Sequence, residues 1–209
     1  MPIQTVTNDQ DTKTRIFLAA AELFSTLGYN GVSIRQICAK VGVGKPTLYY
    51  YFHDKETLLQ ELLQFAFAAL RELTESQIAI QHNFYDRLYG LIKLRQQFAR
   101  RFPYFIRFFV NINILSLPQN TKHLMLDHLN WVHQQMIRFI EDGKKEGIVK
   151  PDIPSSLLVH TIMGSLNQLT FRNIYTNNSE LISDKDAKSI FQFWKQYLFK
   201  TENSGGRDE

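Results

Sequence analysis

The feature that most constrains this chain is the segment 33–59, SIRQICAKVGVGKPTLYYYFHDKETLL, because it contains the start and stop signals of three successive helices. Ser33, followed three residues later by Gln36, predicts a capping box at the start of the first helix. Gly42 supplies the left-handed residue that ends this helix, and Asp54 predicts the N-cap of a longer third helix. Two short helices joined by a tight glycine turn are a helix-turn-helix, an arrangement typical of DNA-binding proteins.

The second helix of this segment opens around Gly44 to Pro46, since a proline in the first turn loses no hydrogen bond. Leu48 and Phe52 point inward, which leaves the opposite face free to donate to phosphates or to reach base edges in a major groove. The residues expected at this DNA-binding surface are Ser33, Arg35, Gly44, Lys45, Pro46, Thr47, Tyr49, Tyr50, Tyr51 and Lys55.

Two roles are predicted within this surface. Lys45, Thr47 and Tyr49 are expected to meet the groove, although the ring of Tyr49 can instead pack under the helix while its hydroxyl reaches a phosphate. The phosphate contacts that set the register are assigned to Ser33, Arg35, Tyr51 and Lys55.

Together with residues 16–27, this segment resembles the DNA-binding domain of the TetR family of bacterial transcriptional regulators. The residues that match the family pattern are Phe24, Gly28, Tyr29, Ser33, Ile37, Ala39, Gly42, Val43, Leu48, Tyr49, Tyr51, Phe52, Lys55 and Leu58. The match covers about the first quarter of the chain. The resemblance implies a dimer that binds a palindromic double-stranded DNA operator and is released by a small, largely apolar effector bound among the middle helices.

The amino-acid composition is compatible with this interpretation. With 209 residues, 44% hydrophobic and 21% charged, the chain can bury a substantial core. A net charge of +4 permits a polyanionic partner without demonstrating one. The single cysteine, Cys38, excludes an internal disulfide and fits a reducing compartment. No secretory signal is visible and polar residues interrupt the apolar stretches, so we expect a cytoplasmic protein without a membrane partner.

The pattern along the chain is helical throughout, with prolines and glycines at the joints. We predict an all-α fold of about nine helices. A three-helix helix-turn-helix domain at 1–57 is expected to continue through one long helix, about 54–80, into a larger ligand-binding and dimerisation domain at 58–209. Residues 1–10 are expected to form a frayed arm and 202–209 a disordered tail. Further helices are expected at about 83–101, 104–116, 121–146, 155–175 and 183–201.

The second half is rich in aromatic and other bulky apolar residues. Plain core packing explains most such stripes. Because the resemblance implies a ligand pocket, we also predict pocket residues, with the polar ones placed to orient an apolar ligand. The predicted set is Phe105, Phe108, Phe109, Asn113, His128, Trp131, His160, Met163 and Asn167.

The last two helices carry more apolar surface than one helix pair hides. Pairing with their copies in a second chain would form a four-helix interface, which is the arrangement the resemblance implies; burial within the chain is the alternative. The predicted interface residues are Leu158, Ile162, Ser165, Leu169, Phe191, Trp194 and Leu198.

Other chemistries lack support in the sequence. The stretch GVGKPT at 42–47 is similar to part of a phosphate-binding loop. That loop needs a glycine five residues before Gly44, where this chain has Ala39, and a serine or threonine after Lys45, where it has Pro46. His123 and Asp127 are an i, i+4 pair, but no third metal ligand accompanies them. We therefore predict no metal, no cofactor and no catalytic site. An activator of the same fold, or a helical small-molecule-binding protein or enzyme that retains the motif, is the alternative.

Overall fold

The computed structural model describes residues 4–80, 83–176, 178 and 180–199, and over these residues it is helical without a β-strand. The predicted all-α fold is confirmed. The nine α-helices of the described residues are α1 Gln4–Leu27, α2 Ile34–Val41, α3 Lys45–Tyr51, α4 Lys55–Ile80, α5 Phe84–Arg101, α6 Pro103–Asn111, α7 Gln119–Lys145, α8 Ser155–Tyr175 and α9 Asp184–Tyr197. A 3-10 helix at Ile114–Ser116 lies between α6 and α7.

Three predicted helix limits are wrong. Helix α1 already begins at Gln4, so the arm expected at 1–10 is helical from that residue onward. Helix α6 ends at Asn111 because Ile112 is extended and the side-chain oxygen of Asn113 accepts the amide N–H of Leu115, which starts the 3-10 helix. Helix α9 ends at Tyr197. The tail predicted at 202–209 lies outside the described residues.

The described residues group into two compact units. The first comprises the described residues up to Ala69 together with Phe102–Asp127. Within it α1 packs against α2 and α6, and α2 packs against α3. Phe24 of α1 lies at the centre of this packing, with its ring 6.4 Å from that of Phe108. Burial of large apolar side chains of this kind is the main stabilising contribution to each unit.

The second unit comprises Leu70–Arg101 and the described residues from His128 onward. Helix α5 packs against α9, and the core also takes residues from α7 and α8. Phe84 is fully buried and stacks on Phe139 at 4.6 Å between ring centres. The predicted boundary between residues 57 and 58 is a different division of the chain and stays a prediction.

The apolar content of the helices is spread around cores rather than concentrated in one long stretch. Within residues 4–80, 83–176 and 180–199, no helix combines the length and the apolarity that crossing a membrane requires.

Candidate nucleic-acid interface

Helix α2 is fixed at both ends by the signals read from the sequence. The amide N–H of Gln36 donates to Ser33 Oγ at 3.3 Å, and the Ser33 amide donates to Gln36 Oε1 at 2.7 Å, which completes the capping box. At the other end Gly42 has φ 79° and its N–H donates to the carbonyl of Cys38 at 2.9 Å. A residue with a Cβ is strained at this φ. The turn that follows α2 is therefore defined by its glycine.

A contact that the sequence does not reveal holds this turn against α1. The guanidinium Nη2 of Arg15 donates to the carbonyl of Val41 at 2.5 Å, which satisfies one of the last carbonyls of α2. Nothing in the pattern of α1 marks Arg15, because an arginine at a partly exposed helix position is usually solvated. Arg15 therefore helps to position the helix-turn-helix rather than forming part of its DNA-binding surface.

Helix α3 is short and is positioned by two buried side chains. Leu48 and Phe52 are both inaccessible to solvent, and Gly44 with extended backbone precedes the first residue, Lys45. Pro46 lies in the first turn, where its missing N–H has no helical partner. The inward pair fixes the rotation of α3, so its opposite face is presented to solvent.

The predicted DNA-binding residues all lie at or near the surface of the first unit. Tyr50 is 75% exposed and Tyr49 48% exposed, so neither ring is packed beneath the helix. Partly buried members are Thr47, Tyr51 and Lys55. Exposed members are Ser33, Arg35, Gly44, Lys45, Pro46, Tyr49 and Tyr50.

The charges of this surface divide into paired and unpaired groups. Lys40 forms an ion pair with Glu22 at 2.8 Å, and Lys13 forms one with Glu61 at 3.0 Å. Within the described residues, Arg35 and Lys45 form no ion pair. A phosphate would therefore meet these two cations without first displacing an acid of the protein.

Lys55 is held differently from the sequence-based expectation. Its ammonium donates to the carbonyls of Tyr29 at 3.0 Å and Val32 at 2.8 Å, and lies 4.1 Å from the centre of the Tyr29 ring. Burial lowers its pKa below the usual value. These two hydrogen bonds hold the start of α4 against the segment between α1 and α2. The third N–H group of the ammonium is available to donate to a phosphate.

The start of α4 is capped as predicted. The Thr57 amide donates to Asp54 Oδ1 at 2.7 Å, and this hydrogen bond is the main reason that the pKa of Asp54 lies below its ordinary value. His53, which the sequence does not single out, is 90% exposed with Nδ1 3.3 Å from Asp54 Oδ2. It lies next to α3 and offers a further hydrogen-bonding group at the surface.

The predicted ligand-pocket residues fall in both units. Phe105 and Phe108 are buried within the first unit, and Phe109 lies 5.5 Å from Phe67 between ring centres, which is core packing. Asn113 caps the 3-10 helix.

Of those in the second unit, His128 is buried and its ring stacks near Trp131 at 6.1 Å. The Arg71 guanidinium lies over Trp131 at 4.5 Å. Burial, followed by the charge of Arg71, lowers the pKa of His128 to about 4.

Three more pocket candidates lie on α8 of the second unit. His160 and Asn167 are exposed and Met163 is partly buried. The ring of His160 lies 5.3 Å from that of His133, and Asn167 Oδ1 accepts from Arg95 Nη2 at 2.6 Å. These residues share one side of α8, since they are spaced by three and four residues. In the part of the chain that is described, no group of three histidine, cysteine, aspartate or glutamate residues is arranged to hold a metal ion.

The predicted dimer-interface residues differ in burial, and the interface itself stays a prediction. Leu158, Ile162 and Trp194 are almost completely buried within the second unit's own core, so they cannot provide a surface for a second chain. The apolar stripe does run along α8 and α9, but its deepest members face inward because both helices contribute to the core that α5 and α7 share. The remaining predicted residues, Ser165, Leu169, Phe191 and Leu198, are partly buried.

Helices α8 and α9 each also carry exposed apolar side chains outside the core. Leu157 is 55%, Phe171 41% and Phe193 51% exposed. On α8 the exposed positions recur at a seven-residue spacing, which is the signal that could have separated this face from the core. The exposed positions of the two helices, together called the α8–α9 stripe below, are Leu157, Gly164, Phe171, Tyr175, Phe193 and Tyr197.

Comparison with known proteins places this geometry among transcriptional regulators. Residues 16–62 match the family model described as bacterial regulatory proteins, tetR family. The helix-turn-helix-type regulator UidR of Escherichia coli strain K12 is 26% identical over 165 residues, which is 72% of this chain and 76% of UidR.

Solved structures share the fold. The ketosteroid transcriptional regulator KstR2 of Mycobacterium tuberculosis has a TM-score of 0.74 at 18% identity, covering 90% of this chain and 95% of KstR2. A candidate transcriptional regulator from Saccharomonospora viridis, solved in complex with choline, has a TM-score of 0.73 at 18% identity, covering 92% of this chain and 100% of its own.

Proposed function

Because this chain is a DNA-binding transcriptional regulator of the TetR family, we propose that it is a homodimeric repressor that binds a palindromic operator and is released by a small molecule. The single observation that carries the DNA-binding part is the exposed face of α3. Lys45 lies at its start without an acidic partner among the described residues, and Leu48 fixes its rotation. Two copies of α3 would enter successive major grooves about 34 to 36 Å apart.

The contacts divide by chemistry. Lys45, Thr47 and Tyr49 would lie in the groove, where their donors and methyl or ring surfaces can distinguish bases. Arg35 on α2 would hold a phosphate, because its exposed guanidinium is free of acids among the described residues and matches a phosphate's geometry. We assign register-setting phosphate contacts also to Ser33, Tyr51 and the remaining N–H of Lys55.

The α8–α9 stripe supports the dimer. It consists of exposed, mainly apolar positions on two helices that contribute to the same core, and Gly164 within it has open space around the position of a Cβ. A second copy of the same face would cover it in an isologous four-helix arrangement. The stripe replaces the buried residues of the sequence-based interface.

The effector would bind in the second unit and act through α4. A relative of the same fold was solved with a small molecule, choline, which supports a ligand of this size class. Helix α4 is continuous from Lys55 to Ile80, without a glycine-rich tether that would absorb a displacement. A ligand that favours one spacing of the two DNA-binding heads over another would shift the population between bound and released states. We place this activity in the cytoplasm, where the operator is accessible.

The test is fluorescence anisotropy of the purified chain on its own upstream intergenic DNA, across a salt series and with unrelated DNA as competitor. We expect tight binding that resists the competitor, with two protomers per site. Lys45→Ala should weaken operator binding, whereas Lys188→Ala, an exposed lysine of α9 in the second unit, should leave it unchanged.

Two outcomes would contradict the proposal. Binding that is weak and indifferent to sequence, both on the upstream DNA and on a library of genomic fragments, would refute specific DNA binding. A single protomer per site at saturation would refute the dimeric mode, even if the affinity were high.

A further inference from the structure

Arg95 differs from three other basic residues of α5, each of which pairs with an acid. Arg87 pairs with Glu146 at 2.6 Å, Lys93 with Asp184 at 2.7 Å and Arg100 with Glu180 at 2.7 Å. Arg95 instead donates to a neutral amide, Asn167 Oδ1, at 2.6 Å. Among the described residues it forms no ion pair, and its Nε is inaccessible to solvent without a hydrogen-bond partner.

This arrangement leaves a partly buried cation whose Nε is shielded from water and which has no counter-charge among the described residues. Burial of the Arg95 guanidinium lowers its pKa to about 10, so it still carries its charge at neutral pH. Partial burial of a charge without a counter-charge is unfavourable, and the cost falls when an oppositely charged group binds beside it. An anionic ligand would supply that partner.

The neighbouring amide completes a set of donors. Because Asn167 Oδ1 accepts from Arg95, the Nδ2 group of the same amide is left with two N–H donors. A guanidinium fork beside an amide N–H matches the two oxygens of a carboxylate.

An apolar surface adjoins these donors. Leu91 lies one helical turn before Arg95 on α5, and Met163 lies one turn before Asn167 on α8, so each shares a helix face with its polar neighbour. Both side chains are partly buried and pack against the core of the second unit. The polar groups are few and the surrounding surface is apolar, which is the usual composition of a small-molecule site.

We propose that Arg95 and Asn167 bind the carboxylate of a small acid whose apolar body lies against Leu91 and Met163. The identification of this acid as the effector rests on the proposed function, but its binding does not. A positive charge in this position discriminates against neutral analogues of the same shape, because such an analogue would leave the guanidinium desolvated and unpaired.

The test compares two acids with their neutral amides on the purified full chain. The probes are 4-phenylbutanoate and hexanoate against 4-phenylbutanamide and hexanamide, with inorganic phosphate as a further anion. Affinities are measured by isothermal titration calorimetry, and unfolding temperatures are recorded with each compound. We expect both acids to bind about tenfold or more tightly than the matched amides. Phosphate binding as tight as that of the acids would overturn the assignment, since an apolar body would then contribute nothing.

Matched variants separate the site from general charge effects. Arg95→Met should lose the preference for acids, whereas Arg138→Met, which removes an exposed arginine of α7, should keep it. Asn167→Asp should place a carboxylate of the protein beside the guanidinium, which would abolish acid binding while preserving or raising the unfolding temperature. Because this variant adds an ion pair rather than removing one, it keeps the test decisive even if Arg95→Met fails to fold.

The outcomes distinguish this inference from the proposed function. Equal binding of acids and amides, or an unchanged acid preference in Asn167→Asp, would overturn the carboxylate site regardless of DNA binding. Operator affinity is measured by anisotropy in parallel. Acid binding that leaves operator affinity unchanged would support the site and contradict ligand release by such acids.

Discussion

His128 makes the stability of the second unit depend on pH. Its ring is buried, and burial together with the charge of Arg71 lowers its pKa to about 4, against about 6.5 in an unfolded chain. The unfolded state therefore binds the proton more tightly than the folded state. The free energy of unfolding is highest above about pH 6.5 and falls as the pH is lowered toward 4. We expect a loss on the order of 2 kcal/mol across this range.

The measurement is urea unfolding of wild type and His128→Gln at pH 7.5 and pH 5.0. The variant should show a smaller loss of stability between the two pH values than wild type. His123→Gln, which removes an exposed histidine of the same helix, should retain the wild-type dependence. Identical pH dependence in wild type and His128→Gln would contradict the assignment.

Two lysines of the DNA-binding surface are predicted to behave differently. Lys45 is exposed without an acidic partner among the described residues, so Lys45→Ala should weaken DNA binding while leaving unfolding unchanged. Lys55→Ala should weaken binding to all sequences, and should also destabilise the first unit because the carbonyls of Tyr29 and Val32 lose their donor. Each substitution should flatten the salt dependence by about one unit for every phosphate that the lysine neutralises in the wild-type complex. If operator affinity is unchanged in Lys55→Ala, Lys55 does not contribute to the DNA-binding interface.

At the scale of helices, two capping boxes allow a matched experiment. Ser33 caps α2 with Gln36, and Ser183 caps α9 with Asp186, whose amide donates to Ser183 Oγ at 3.1 Å. Each serine-to-alanine change should cost about 1 kcal/mol of stability. Ser33→Ala should also weaken operator binding, because α2 supports the recognition helix and because Ser33 is itself assigned a phosphate contact, whereas Ser183→Ala should not. Operator affinity that falls equally in both variants would indicate a general loss of folded protein rather than a local effect.

The sequence predicts helices well where local chemistry ends them. Gly42 and Asp54 mark their helix ends unambiguously because a left-handed residue and a capping carboxylate act within one turn. The end of α6 at Asn111 is hidden in the sequence because the 3-10 helix that follows continues the same apolar pattern.

Tertiary contacts are less visible in one sequence. Trp194 and Leu158 carry the same apolar signal as Phe193 and Leu157, yet the first pair is buried and the second exposed. Which side of such a helix faces inward depends on its neighbours. Lys55 illustrates the same limit, since a lysine beside a DNA-binding motif is expected at a phosphate, and its two carbonyl partners are 26 and 23 residues away in sequence.

Across the whole chain, the net charge is a weaker indicator of a DNA-binding surface than the pairing of individual charged residues. The net charge of +4 is small, and several cations, among them Lys13, Arg87 and Arg100, lie in ion pairs with acids. Exposed pairs of this kind contribute little to stability, but they lower the local field that a polyanion would meet. Arg35 and Lys45 lack such partners within the described residues, so the charges of these two residues of the proposed DNA-binding surface are available to a phosphate.

The α8–α9 stripe provides the test of the proposed dimer. Phe193 is 51% exposed, so Phe193→Glu should leave the core of a single chain intact. In a dimer that buries this face, it would place a charge in an apolar interface and meet its own copy or a neighbouring apolar side chain, which should weaken association by about tenfold or more. Sedimentation velocity over a concentration series measures this shift, and anisotropy should show a parallel loss of operator binding.

Leu115→Glu is the matched control, because Leu115 is 83% exposed, lies in the 3-10 helix of the first unit, and undergoes the same type of substitution away from the stripe. It should sediment as wild type does. If Phe193→Glu retains the wild-type oligomeric state, the stripe is not the contact between protomers. If both variants dissociate, the loss follows from added negative charge rather than from position, and the four-helix arrangement loses its support. Dissociation confined to Phe193→Glu, accompanied by weaker operator binding, would show that operator binding depends on dimerisation. Tight binding to a palindromic operator requires two recognition helices held together, because each helix contacts one half-site.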